Sequence, residues 1–335
     1  MQVRENVSLR PYNTFGIDVT ARRFISFNTL SDLQTLVHRY QNNNLMILGG
    51  GSNVLFTHDY DGTVLHNNLR GIEVTDEGDT VVVTAAAGEN WHKLVMYCVA
   101  HHFAGMENLA LIPGSTGASP MQNIGAYGVE IKDVFHSLTA LHIRENKFYT
   151  FNREQCAFGY RESIFKKEHK GQFIITHVSF RLHKTPTFHI SYGAIQQELE
   201  RMGIQDLSIA AIAQAVINIR SSKLPDPKKL GNAGSFFKNP VIDNQSFERI
   251  RAEHPAVVSF TAGDGKTKLA AGWLIESCGW KGFRRGDAGC YKKQALVLVN
   301  YGRASGKDIY QLSSDIIQSV QDKFGVSLER EVNIV

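Results

Sequence analysis

The chain has 335 residues, of which 43% are apolar and 20% charged, an ordinary globular balance that excludes disorder along its whole length. That length exceeds what one hydrophobic core usually serves and predicts two or three domains. The formal net charge is only +4, and the basic clusters (161–170, 223–229, 281–285) are short, so they suit anionic small molecules at least as well as nucleic acid.

In chain order, residues 45–56 (LMILGGGSNVLF) read as strand, glycine turn, strand. Residues 80–87 (TVVVTAAA) predict a buried strand. The stretch 89–103 (ENWHKLVMYCVAHHF) has helical spacing, with Leu94, Tyr97, Cys98 and His101 on one face. Residues 105–128 form a long loop rich in Gly, Ser, Asn and Pro, and loops of that length usually carry function or are disordered. Residues 173–182 (FIITHVSFRL) alternate as a strand does. Composition shifts after about residue 206. The run 207–223 predicts a helix capped by Ser208, and 224–240 (LPDPKKLGNAGSFFKNP) reads as loop. A helix over 267–279 is stopped by Gly279, a strand covers 294–300, and a helix over 305–325 is capped by Ser305 and stopped by Gly325. The last ten residues (VSLEREVNIV) predict a strand, with Leu328, Arg330 and Val332 on one face and Glu329, Glu331 and Asn333 on the other.

Three glycines in LGGGSN let the backbone approach a ligand, and their N–H groups with Ser52 and Asn53 can cradle a phosphate; a tight hairpin turn is the competing reading. The Rossmann fingerprint is excluded, because Val54 stands at its last position and a strand follows. GDGKTK (263–268) imitates a P-loop, but Phe260 occupies the place of its first glycine. The loop 112–128 is dense in glycine and polar donors and suits a nucleotide or flavin. Ser235 lacks the elbow of a serine hydrolase. Cys98, Cys156, Cys278 and Cys290 form no CxxC pair, so no metal site or disulfide framework is expected. With no signal peptide and no membrane-length apolar run, the expectation is a soluble, cytoplasmic protein.

Several blocks occur in order: YNTFGI (12–17), ILGGGSNVLF (47–56), AGENWHKLV (87–95), LALIPGSTGASPMQNIGAYGVE (109–130), FGYRES (158–163), KLPDPKKLGNAGSFFKNP (223–240), KLAAGWLIESCGWKG (268–282) and LEREV (328–332). Together, over nearly the whole chain, they resemble the UDP-N-acetylenolpyruvoylglucosamine reductase family of bacterial peptidoglycan precursor synthesis, in its longer type with a tyrosine loop (SYGAI, 191–195). The resemblance implies an α+β chain with an FAD-binding fold of the vanillyl-alcohol-oxidase (PCMH) type in two subdomains. These are set at 1–70 and 71–219, with a C-terminal α+β substrate-binding domain at 220–335. It implies non-covalent FAD, NADPH as co-substrate, and reduction of UDP-N-acetylglucosamine enolpyruvate to UDP-N-acetylmuramic acid by a cytoplasmic bacterial enzyme. No nucleic acid or membrane takes part, and a monomer is expected.

By the same resemblance, Arg161, Ser235 and Glu331 are catalytic. Arg161 would hold the substrate carboxylate, Ser235 would protonate C2, and Glu331, with a raised pKa, would support the enolate. FAD would be held by Gly49, Gly50, Gly51, Ser52, Asn53, Ser115, Ser119, Gln122, Asn123, Gly125, Tyr127 and Arg220, the last facing the flavin. Tyr192, Lys223, Asn239, Lys268 and Lys281 would bind the substrate diphosphate. Two positions depart from the family pattern: Phe260 stands where the longer type has a substrate-contacting Tyr, and Arg330 where many relatives have Pro. A cation at 330 would be expected to lower the pKa of Glu331.

Overall fold

The structure, a computed structural model, describes residues 1–263 and 265–335. The chain divides into two compact units, each assembled from more than one segment. The first comprises Met1–Val7, Ala21–Gly50 and Asp61–Ser222. The second comprises Ser8–Thr20, Gly51–Tyr60 and Lys223–Val335.

Two sheets build the first unit. A four-stranded sheet has the order Arg4–Ser8, Thr20–Phe27, Tyr60–Asn67, Leu45–Leu48, the last two parallel. Its apolar face is covered by helix Leu30–Tyr40, which buries Leu33, Leu36, Val37 and Tyr40 and starts where the Thr29 side chain accepts from Asp32 N–H. A five-stranded antiparallel sheet has the order Lys147–Asn152, Phe135–His142, Phe173–His183, Thr80–Ala86, Ile72–Glu77. Along Phe173–His183 the alternation is as expected: Ile174, Thr176, Val178, Phe180 and Leu182 are buried. Helices Trp91–Ala100, Gly193–Arg201 and Ile209–Lys223 pack on this sheet. Ser208 does cap the last of them, its Oγ accepting from Ala211 N–H at 3.1 Å.

The buried face of Trp91–Ala100 is wider than the expected one. Trp91, Leu94, Val95, Cys98 and Val99 are buried, Tyr97 is half-buried against the same core, and of the expected face only His101, just past the helix end, is exposed, its ring tilted on Tyr97 at 4.1 Å. The expected stripe of Leu94, Tyr97 and Cys98 does face the core, and Trp91, Val95 and Val99 widen it.

The second unit holds a four-stranded sheet in the order Gly231–Ser235, Val297–Asn300, Ala288–Cys290, Arg284–Arg285. A three-stranded sheet runs Val241–Asp243, Lys266–Leu269, Ser259–Thr261. Residues 231–235, read as loop, are therefore a strand, and 266–269 are strand rather than the start of a helix, which covers only Ala271–Ser277. Tertiary pairing outweighs the glycines in one case and the apolar run in the other. Helix Gly306–Phe324 has the expected ends: a capping box between Ser305 and Asp308, and Gly325 at φ 68°. The terminal decapeptide is strand only at Asn333–Ile334, which pairs in parallel with Val54–Leu55. The glycine run is thus no hairpin turn, since the strands on its two sides pair with different partners. Among the described residues no helix is long and apolar enough to cross a membrane.

Candidate active site

In the first unit, Gly49 and Gly50 follow strand Leu45–Leu48 and lie against the loop that begins at Leu111. A Cβ on Gly49 would sit 2.2 Å from Ser115 Oγ, and one on Gly50 would sit 3.2 Å from Gly114 Cα. Glycine lets these two segments approach without displacing the Ser115 hydroxyl or the Gly114 backbone, which leaves a surface of bare peptide groups. The loop is held in unusual conformations: Leu111, Asn123 and Tyr127 are left-handed, with φ of 59°, 43° and 51°. Each costs about 1–2 kcal/mol that neighbouring contacts must offset.

Those contacts are visible. The Asn123 amide donates to Glu130 Oε2 and to the Gly159 carbonyl (both 3.0 Å), and its oxygen accepts from Lys132 N–H at 3.1 Å. Ser119 Oγ donates to the Thr116 carbonyl at 2.7 Å. Both side chains are buried, so they shape the loop rather than line it. Ser115 is nearly buried and Gln122 half-buried in the same loop.

Arg161 is itself left-handed, at φ 56°, in a tight turn closed by the bridge between Gly159 and Glu162. Its Nη2 donates to the Gly125 carbonyl at 2.8 Å, and Nη1 lies 3.8 Å from Glu130 Oε1. Gly125 has to be glycine here, because a Cβ would lie 3.2 Å from Arg161 Nη1 and 2.7 Å from Glu130 Cγ. Arg220, from helix Ile209–Lys223, donates through Nε to the Leu111 carbonyl at 3.2 Å and bonds the Tyr127 hydroxyl. Burial lowers the Arg220 pKa, and Tyr127 opposes that shift; an arginine keeps its charge at neutral pH. Burial also raises the Tyr127 pKa. Tyr192 is exposed at the start of helix Gly193–Arg201, its ring edge-on to Tyr127 at 5.4 Å.

Two residues here were not singled out from the sequence. His92 Nδ1 accepts from Leu111 N–H at 3.0 Å. Asn108 donates to the carbonyls of Tyr127 (3.1 Å) and His189 (2.8 Å), tying the Tyr127 loop to the segment that leads to Tyr192. His92 lies inside the AGENWHKLV block and Asn108 just before the next one, but block membership alone gave neither a role.

In the second unit, Ser235 ends strand Gly231–Ser235, after an irregular register and a left-handed Gly234 at φ 72°. Asn232 fixes the bend: its amide donates to the Pro225 and Leu230 carbonyls and its oxygen accepts from Gly234 N–H. Phe236 and Phe237 are buried, with Phe236 edge-on to Phe15 at 6.1 Å, so Ser235 is exposed between an anchored pair and a fixed bend.

The next residues pair with the C-terminal segment. Glu331 N–H donates to the Phe236 carbonyl at 2.8 Å, and Lys238 N–H to the Glu329 carbonyl at 2.9 Å. Ser235 and Glu331, 96 positions apart by subtraction of their numbers, are thereby brought together along one pair of extended chains. Arg330 turns away. Its guanidinium donates to Ser313 Oγ and Ser314 Oγ at 2.7 Å each and lies over the Tyr310 ring at 4.4 Å, all on helix Gly306–Phe324. The cation at the place of the family's proline is therefore committed to that helix.

The glycine run is split in use. Gly51, left-handed at φ 60°, accepts from Thr14 N–H, and a Cβ there would meet the Tyr12 carbonyl at 2.0 Å. The Asn53 side chain donates to the Glu331 carbonyl at 3.3 Å, and the Asn53 carbonyl accepts from Asn333 N–H. Ser52 is half-buried beside it. Residues 49–50 thus belong with the Ser115 loop, and 51–53 with the Glu331 segment.

Lys268 lies opposite both Val241 and Phe260 on the central strand of the three-stranded sheet, which puts the other departure beside a substrate candidate. Asn239 accepts from Ala271 N–H at 3.0 Å, leaving its N–H2 as the group to offer a ligand. Lys281 is paired with Glu276 at 2.8 Å. Lys223 is exposed at the end of helix Ile209–Lys223.

Bare peptide groups opened by glycine, beside the half-buried Arg220, suit a dinucleotide with a pyrophosphate and an electron-accepting ring, and so fit FAD. The chain is a flavoprotein: an FAD binding domain family matches residues 21–145. Its fold is of the PCMH type, shared with p-cresol methylhydroxylase (TM-score 0.50, 9% identity, 98% of this chain and 84% of that one).

The UDP-N-acetylenolpyruvoylglucosamine reductase C-terminal domain matches residues 226–335. The chain is 50% identical to the UDP-N-acetylenolpyruvoylglucosamine reductase of Pseudomonas putida, over 100% of this chain and 99% of that one. The Thermus caldophilus reductase has the same fold, with a TM-score of 0.70 and 24% identity over 100% of this chain and 99% of that one. This chain belongs to the UDP-N-acetylenolpyruvoylglucosamine reductase family.

Proposed function

We infer that this chain reduces UDP-N-acetylenolpyruvoylglucosamine for peptidoglycan synthesis, with FAD as cofactor and NADPH as co-substrate. The observation that carries the reading to particular residues is the backbone pairing that holds an exposed Ser235 one residue from the Phe236–Glu331 hydrogen bond.

FAD, held by Gly49, Gly50 and the loop around Ser115, would supply the hydride-transfer chemistry that links NADPH to C3 of the enolpyruvyl group. Saturating the enol ether builds negative charge at C2, which can spread only into the adjacent carboxylate. Arg161 is the group to hold that carboxylate: a guanidinium in a fixed turn is pre-organised for charge that appears only in the transition state. Ser235 Oγ–H supplies the proton to C2. An alcohol is a weak acid, but a carbanionic centre is a strong enough base to take its proton, and the neutral donor does not repel the anion before transfer. Glu331 in its protonated form donates to the substrate carboxylate as charge grows there.

Gly49, Gly50 and the backbone around Ser115 and Gln122 would cradle the FAD pyrophosphate, with Arg220 and Tyr127 toward the flavin. Ser119, Asn123 and Gly125 keep that loop and Arg161 in shape. Gly51, Ser52 and Asn53 support the Glu331 segment and meet the cofactor through backbone groups. Tyr192, Lys223, Asn239, Lys268 and Lys281 bind the diphosphate, for which Lys281 must share its ammonium with Glu276. The subdomains are set at 1–70, 71–219 and 220–335, and the enzyme works as a monomer in the bacterial cytoplasm.

Anaerobic stopped-flow on the flavin absorbance tests this. The yellow protein should bleach with NADPH and regain colour with the enolpyruvyl substrate. In Ser235→Ala, bleaching should keep its rate while recovery slows about 10³-fold. A wild-type protein that stays bleached with the substrate would point to another flavin oxidoreductase. Equal slowing of both halves in the variant would make Ser235 structural.

A further inference from the structure

Leu111 opens the glycine-rich loop in a conformation that leucine avoids, φ 59°, and both of its peptide groups are held by side chains. Its N–H is taken by His92 Nδ1 at 3.0 Å, and its carbonyl by Arg220 Nε at 3.2 Å. We propose that His92 is a positioning residue for the flavin: it fixes the strained peptide at Leu111, and that peptide fixes where the Arg220 guanidinium points.

The chemistry of the three groups supports this. An N–H donor on Leu111 needs an acceptor, and imidazole offers one only as the neutral ring, with its proton on Nε2. Burial and the nearby Arg220 charge both favour that neutral form. His92 is placed by helix Trp91–Ala100, which Asn90 caps by accepting from Lys93 N–H at 3.0 Å, so the acceptor stands on a rigid element and the strained loop is what adjusts. Arg220 comes from a different helix, and the Leu111 peptide is the link between the two. Without the acceptor, Leu111 would relax toward an ordinary backbone, its carbonyl would swing, and Arg220 would keep only its Tyr127 hydroxyl partner of the two seen here.

The inference rests on the reading that Arg220 faces the flavin, and the experiment separates the two. Purified holoenzymes carrying His92→Phe, His92→Asn, Arg220→Met, and His92→Phe with Arg220→Met are compared by the midpoint potential of bound FAD and by FAD affinity. Arg220→Met should lower the potential most, by loss of the cation that stabilises the reduced, anionic flavin. His92→Phe keeps a ring of similar size without the acceptor. It should weaken the preference for reduced over oxidised flavin about tenfold, or about 30 mV for a two-electron couple. It should add nothing in the Arg220→Met background. His92→Asn, whose Oδ1 can replace Nδ1, should recover most of the shift. Should the Phe variant not retain FAD, His92→Ala serves the same comparison. A normal potential in His92→Phe, beside a lowered one in Arg220→Met, overturns the positioning role alone. A normal potential in Arg220→Met overturns the placement of Arg220 at the flavin, and the proposal with it.

Discussion

The two units present their functional groups in opposite ways. In the first, Arg161 and Arg220 are aimed by loop carbonyls, those of Gly125 and Leu111, and strained left-handed residues shape the loops. In the second, Ser235 and Glu331 are aimed by the pairing of two extended chains, with one bend at Gly234. A cation on a loop can be directed at a ligand from many angles but needs several contacts to hold it. A hydroxyl on a strand end needs little beyond the strand, provided the following residues are anchored, as Phe236 and Phe237 are.

The sharpest way to break this comparison is Arg161→Gly. Glycine occupies the left-handed region freely, and that relief opposes the loss of the Gly125 and Glu130 contacts, so the variant should stay within about 1 kcal/mol of the parent. Recovery of flavin absorbance with the substrate should nonetheless slow about 10²- to 10³-fold, the effect of removing a pre-organised donor from developing charge. Thermal melting and stopped-flow on the same preparation give both numbers. A variant that melts earlier and reacts normally would mean that the turn, and not the guanidinium, is what the position supplies.

Two alanine substitutions test the same difference through glycines. At Gly231 a Cβ would meet the Phe15 carbonyl at 2.2 Å, and a backbone atom cannot turn aside. Gly231→Ala should cost about 1–3 kcal/mol of stability, read as a lower denaturation midpoint. At Gly49 the obstacle is Ser115 Oγ, also at 2.2 Å, which can rotate. Gly49→Ala should leave the melt nearly unchanged and weaken FAD binding about tenfold, measured by recovery of flavin fluorescence. Reversed outcomes would exchange the structural and cofactor roles of the two glycines.

How much of this was legible in the sequence follows from the kind of interaction involved. Periodic burial was legible in Phe173–His183, and so were end signals such as Ser208, Ser305 and Gly325, because each is decided by residues close in sequence. The family was legible because its blocks are long and ordered. The strand at Gly231–Ser235 was not, since glycine and asparagine carry no strand signal and the pairing partner, Val297–Asn300, lies far along the chain. The division of GGGSN between two units was hidden for the same reason: identical glycines answer to Ser115 and Gly114 on one side and to Tyr12 on the other. The roles of His92 and Asn108 required seeing which backbone groups were left for them.

Acid should separate the units. In the first, burial lowers the pKa of His66, His92 and His177 below the ordinary 6.5, so the unfolded chain binds protons that the folded unit resists. Stability from these groups is present above about pH 6.5 and is lost as pH falls below it. In the second, Asp243 is held low mainly by Ser246 N–H, Asp287 by Arg303 N–H, and Asp308 by the Ser305 hydroxyl. Their contribution persists until pH falls toward the ordinary 3.8 and below. Hydrogen exchange, corrected for its intrinsic pH dependence, should show first-unit amides losing protection between pH 7 and 5.5 while second-unit amides hold. Parallel losses would remove these half-buried histidines as the cause.

The smallest expected effect concerns Phe260. It is exposed on strand Ser259–Thr261 directly across from Lys268, so a hydroxyl added to its ring would enter solvent and need no rearrangement. Phe260→Tyr should therefore change stability by less than about 0.5 kcal/mol. If the ring reaches the substrate as the family's tyrosine does, one new hydrogen bond of about 0.5–1.5 kcal/mol should lower KM for the enolpyruvyl substrate about two- to tenfold, with kcat unchanged. Such a split would place Phe260 beside Lys268 at the diphosphate, where the loss of a single bond is tolerated because cations carry most of the binding. An unchanged KM would move the binding surface off this sheet, and Lys268→Ala should then also leave KM unchanged.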